Sequence, residues 1–160
     1  MRNAGFTLIE LVVVISVIAL ITGLSIATYN NFNLEQKLTT DAKKLVDIID
    51  LARKRALSAD LAQHTCDSFN GYSVAVAANA VTTSICCNGS CTVVSSYSFQ
   101  QGIDAATTAS FTFNSLTANT TASSIKLRSV NLGKCIPISI TTNGIITESA
   151  KCTCTDPACN

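Results

Sequence analysis

Neither proline nor glycine occurs between Leu24 and Asn70, so nothing in that stretch forces a break in the backbone. Charge is just as scarce near the start: from Leu11 to Ala27 there is none, only Ser16, Thr22, Gly23 and Ser25 among aliphatic residues. From Thr65 onward the chain carries four basic residues (Lys126, Arg128, Lys134, Lys151) and four acidic ones (Asp67, Asp104, Glu148, Asp156). That balance argues against a nucleic-acid clamp, which needs a basic patch. Histidine is reduced to His64, and nothing orients it toward Cys66 as a nucleophile pair. No other enzymatic constellation stands in the sequence, so the chain reads as a non-enzyme. Metal sites are equally thin. Cys86, Cys87 and Cys91, or Cys152 and Cys154 with Cys159, lack the spacing of a zinc site, and Asp156 alone does not make a calcium site. Neither a metal nor a cofactor is expected.

What the chain does have begins with an apolar run. Residues 6–28 are long enough to span a bilayer as a helix. Glu10 stands inside the start of this run, where an ionisable side chain is costly unless paired and therefore marks function. A cut after Gly5 would create its partner: Phe6 becomes the N-terminus and sets an ammonium group one helical turn from Glu10. Arg2 holds the start of the chain in the cytoplasm, which sends the C-terminal bulk across the membrane. Eight cysteines agree with an oxidising compartment there. Disulfides are expected among Cys66, Cys86, Cys87, Cys91, Cys135, Cys152, Cys154 and Cys159.

Leu34, Leu38, Ala42, Leu45, Ile48, Ile49, Ala52, Ala56 and Leu57 recur at three- and four-residue steps, the mark of an amphipathic helix. The pattern predicts one helix reaching residue 64, about 80 Å long for about 55 residues. Its apolar first half cannot be buried in its own small domain and needs membrane or neighbouring subunits, a physical argument for a filament. Arg53-Lys54-Arg55 reads as a solvated helix face. Strands begin after His64. Candidates are Tyr72–Ala77, Cys91–Phe99, Ser110–Phe113, Ser124–Arg128, Ile136–Ile140 and Ile145–Glu148. Asn88-Gly89 and Asn143-Gly144 read as tight turns. The fold class is α+β, a long helix packed on a small antiparallel sheet.

Gly5-Phe6-Thr7-Leu8-Ile9-Glu10 closely resembles the type III signal sequence of type IV prepilins and type II secretion pseudopilins. The resemblance implies that a prepilin peptidase cuts after Gly5 and N-methylates Phe6, and that Glu10 is needed for a subunit to join the filament. It implies residues 1–5 as leader, 6–28 as transmembrane helix, 29–64 as its amphipathic continuation and 65–160 as a disulfide-containing, β-rich head. Two other readings of the N-terminus compete. A secretory signal peptide would be cut at Ser25-Ile26-Ala27, but Glu10 lies where its positive region should pass into apolar residues. A plain anchor explains the run and leaves Glu10 unexplained.

Leu51–Leu57, Gln101-Gly102-Ile103 before Phe111-Thr112-Phe113, and the hairpin through Gly144 resemble the H-type minor pseudopilins and minor pilins. Ala27 stands where many major pilins carry a proline, which favours a minor subunit; Gly23 could supply some of the flexibility. The implied protein is a minor pilin or pseudopilin that helps initiate or cap a filament for secretion, adhesion or motility. Its implied partners are the prepilin peptidase, other pilin or pseudopilin subunits and the inner membrane. The alternative is a DNA-receptor minor pilin of a competence pilus, which needs a basic C-terminal segment; the tail from Lys151 holds one base.

If Asn143-Gly144 is a two-residue type I′ turn, Thr142 faces Ile145 and Cys135 lies opposite Cys152, where a cross-strand disulfide is feasible. A three-residue loop would pair Ile140 with Ile146 and shift the bridge toward Cys154 or elsewhere. The expectation is Cys135–Cys152, with the other six cysteines unassigned.

Overall fold

A computed structural model describes residues 7–61, 64–156 and 159; of residues 23–28 it describes the helical backbone alone. The chain divides into two compact units, Met1–Asn33 and Leu34–Asn160. Helix α1 (Leu8–Leu57) contributes to both, and nine strands among the described residues follow it. The fold is α+β, as the sequence leads one to expect.

In the first unit α1 starts at a cap. The Thr7 hydroxyl accepts a hydrogen bond from the Glu10 backbone N–H at 3.3 Å, and the Thr7 carbonyl accepts one from Leu11 N–H at 3.2 Å. Farther along, Ser16 and Thr22 donate their hydroxyls back to the carbonyls of Val12 and Ile18, both at 2.7 Å. These two hydroxyls are thus satisfied within the helix. Among the described residues no helix is long and apolar enough to cross a membrane. The expected span, 6–28, includes Phe6 and the side chains of 23–28, which lie outside the described residues.

In the second unit Leu38, Ala42, Leu45, Ile49, Ala52 and Ala56 form a buried stripe at helical spacing. They share one core with Tyr72, Val74, Phe113, Ile125, Leu127 and Ile138 from the strands. Leu34 and Ile48 are half-buried and Leu57 is exposed. The helix ends at Leu57, short of residue 64. Its stop is a Schellman turn: Asp60 N–H donates to the Arg55 carbonyl at 3.0 Å and Ala59 N–H to the Ala56 carbonyl at 3.3 Å. Ala59 has φ 50°, the left-handed conformation that glycine usually fills, so the stop carries no glycine signal in the sequence.

One antiparallel sheet has the order β3-β2-β1-β5, built from β1 (Phe69–Val76), β2 (Ala80–Cys87), β3 (Ser90–Ser98) and β5 (Ala109–Asn114). The other runs β4 (Ile103–Ala105), β6 (Ser123–Ser129), β7 (Lys134–Ile140) and β8 (Ile146–Glu148), with β9 (Cys152–Thr153) also pairing with β7. Strand β2 is absent from the sequence expectation, although Val81, Thr83 and Ile85 alternate and are buried. Asn88-Gly89 joins β2 to β3 as a two-residue turn. Asn88 has φ 53° and Gly89 has φ 81°, both positive as type I′ requires, and Cys87 faces Ser90. Gly71 sits at a bulge in β1, where an added Cβ would lie 1.9 Å from the Phe113 carbonyl oxygen.

The second expected hairpin takes the other form. Only Gly144 of the Asn143-Gly144 pair has a positive φ, 72°. Thr141 N–H donates to the Ile145 carbonyl at 3.0 Å and Gly144 N–H to the Thr141 carbonyl at 2.9 Å, closing a three-residue loop. Ile140 therefore faces Ile146, and Ile138 faces Glu148. One extra residue between β8 and β9 then resets the register, and Cys135 does face Cys152.

Candidate functional site

The chemistry singled out by the sequence lies at the start of α1. Gly5 and Phe6 lie outside the described residues. Glu10 occupies the first turn and is exposed. Thr7-Leu8-Ile9-Glu10 has the Thr-x-x-Glu spacing of a capping box, a signal the sequence reading passed over. An acid in the first turn also meets the positive end of the helix dipole. Every large aliphatic side chain from Leu8 to Ile21 is exposed, by 48–82 %. A helix apolar on all sides is stable only when something apolar surrounds it.

Two carboxylates of α1 within the second unit tie the helix to the strands, and neither was foreseen. Asp41 is fully buried on the apolar stripe. It accepts hydrogen bonds from the Tyr97 hydroxyl at 2.7 Å, the Gln100 backbone N–H at 2.8 Å and the Gln100 carboxamide at 3.1 Å. The hydrogen bond to Asp41 raises the pKa of the Tyr97 phenol, with burial adding to it. The available signal was position: Asp41 lies three residues after Leu38 and four before Leu45, on the face the period assigns to the core. Glu35 pairs with Lys134 of β7 and, at 2.6 Å, with Lys151. The hydrogen bonds from Lys134 and then Lys151 hold its carboxyl well below the usual range, at about 2.

All eight cysteines are paired: Cys66–Cys87, Cys86–Cys91, Cys135–Cys154 and Cys152–Cys159. The expected Cys135–Cys152 bridge is not formed. The backbones of these two residues do face each other, yet the Cys135 sulfur reaches Cys154, two residues beyond Cys152. The Cys152 sulfur turns instead to Cys159. Cys86–Cys91 is the cross-strand bridge of the head, between directly opposed residues of β2 and β3 with Cα atoms 4.0 Å apart. Among the described residues no cluster of histidine, cysteine or acid side chains could hold a metal ion.

Compared with known protein families, residues 1–26 match the prokaryotic N-terminal methylation motif. No curated protein and no solved structure matches the chain. The match covers Gly5, Phe6 and Glu10 together with most of the apolar run. Through these residues the chain carries the signature of the type IV pilins and pseudopilins.

Proposed function

We propose that this protein is a minor subunit of a type IV pilus or a type II secretion pseudopilus, helping to initiate or cap the filament without enzymatic activity of its own. It is held in the inner membrane by residues 6–28 before assembly, with the head outside the cytoplasm. A prepilin peptidase cuts after Gly5 and methylates Phe6, and other pilin or pseudopilin subunits are its partners. The observation that carries the reading is the methylation motif over residues 1–26. The exposed aliphatic surface from Leu8 to Ile21 supports it, because lipid and then neighbouring helices would cover that surface.

In this reading the Glu10 carboxylate pairs with the Phe6 ammonium of a neighbouring subunit. Two unit charges about 4 Å apart attract by about 4 kcal/mol at an effective dielectric near 20, and desolvation offsets much of that. The Thr-x-x-Glu spacing would also let the Glu10 side chain reach back to the Thr7 backbone N–H, and the two roles separate by substitution. Glu10→Gln keeps a side chain that can cap but removes the charge, whereas Glu10→Ala removes both. Both variants should insert in the membrane and form the head disulfides, and both should be depleted from sheared filaments. Parental incorporation of Glu10→Gln would assign Glu10 to capping and remove the ion pair from the account.

A further inference from the structure

Between the free edge of β5 and the segment 119–121 that leads into β6 lies a groove of about 450 Å³. Its lining combines Ser110, Thr112, Asn114, Asn119, Thr120 and Thr121 with Phe111, and holds no ionisable group. The backbone adds more hydrogen-bonding groups. Asn114 N–H donates to the Asn119 carbonyl at 3.0 Å, and the Asn114 carbonyl accepts from Ala118 N–H at 2.9 Å. Alternate residues of an antiparallel strand turn both backbone groups to the same side. The N–H and C=O of Ser110 and Thr112 therefore also face away from β1, toward the groove.

We propose that this groove binds an uncharged saccharide. A charged ligand would find no counter-charge on these walls. An apolar ligand would strip water from hydroxyls, carboxamides and strand-edge backbone groups without replacing the hydrogen bonds lost. A sugar ring presents hydroxyls that donate and accept at comparable density and carries no charge. The volume lies within the roughly 300–1,000 Å³ of small-ligand sites. Phe111 turns inward and is 3 % exposed, so the groove offers hydrogen bonds without an aromatic stacking platform. Its affinity is accordingly weak, with Kd about 1 mM. This site is independent of the N-terminal assembly chemistry.

The test uses the full chain with its disulfides intact, isotopically labelled, in micelles of a detergent without a sugar headgroup. Lactose and N,N′-diacetylchitobiose are the probes, and the uncharged tripeptide Ala-Thr-Ala represents a strand-adding ligand. The expected result is saturable amide shifts at Ser110, Thr112, Asn119 and Thr121 with at least one disaccharide. Thr112→Val and Asn119→Ala should each weaken that binding about tenfold, the loss of about one hydrogen bond, while amide positions far from the groove stay unchanged. Absence of saturable groove shifts with either disaccharide up to about 20 mM, well above the expected Kd, overturns the proposal from the parent protein alone. Shifts with the tripeptide but neither sugar overturn it in favour of a peptide site. Undiminished sugar binding in both variants also overturns it, because the sugar would then sit elsewhere.

Discussion

Asp41 lies on the buried stripe of α1, and its carboxylate accepts hydrogen bonds from Tyr97 at the end of β3 and from Gln100 just beyond it. It therefore fixes how the helix meets the edge of the first sheet. Replacing Asp41 by alanine leaves the half-buried Tyr97 hydroxyl and the Gln100 backbone N–H without this partner. The expected loss is about 2–3 kcal/mol, read as a lower denaturant midpoint at unchanged slope, with a smaller loss for Asp41→Asn. Glu35 makes a pH-dependent contribution. Its pKa falls from 4.5 to about 2 on folding, so its stabilising effect is present above pH 4.5 and is lost as the pH falls toward 2. Glu35→Gln should lower the Tm near pH 6, and the difference from the parent should vanish near pH 2. A difference that persists at pH 2 would mean that packing, and not charge, is responsible. Neither carboxylate was legible as an anchor before the fold was known. A heptad-like pattern registers an acid on an apolar stripe only as a flaw, because its partners Tyr97 and Lys134 lie far along the chain.

At the scale of elements, the sequence spelled out α1 and most of the strands through their periods, and it failed where local chemistry is atypical. The helix stop is the clearest case. Ala59 occupies a left-handed position with no glycine to announce it, and the expected helix consequently ran on to residue 64. Ala59→Gly should relieve that conformation and raise stability by about 0.5–1 kcal/mol, measured by thermal unfolding; a lower Tm would show that chain entropy outweighs the relief. The two Asn-Gly turns teach the same lesson from opposite sides. Asn88-Gly89 adopts the positive φ pair that its sequence invites, whereas Asn143 does not, and the flanking strands slip by one residue. Register counted from the turn places Cys135 opposite Cys152 even so, because a later extra residue cancels the slip. It could not assign the bridge, since Cys152 and Cys154 both come within reach of Cys135 and Cys159 competes for Cys152.

On the scale of the whole molecule, one long helix serves two environments. From Leu38 to Ala56 it has a stripe that its own strands cover, and from Leu8 to Ile21 its large aliphatic side chains are exposed on all sides. That division was readable from hydropathy, and the N-terminal motif from its residues, because both are local in sequence. The arrangement of strands into two sheets and the groove beside β5 depend on pairings distant in sequence and were not readable. The account rests on what happens at Gly5 and Phe6, and the intact mass of the protein extracted from its native membrane tests it most directly. The predicted product lacks the five residues Met1–Gly5, begins at Phe6 and carries one added methyl group. A product that retains Met1, or one that begins at Thr28 after cleavage as an ordinary signal peptide, would contradict it.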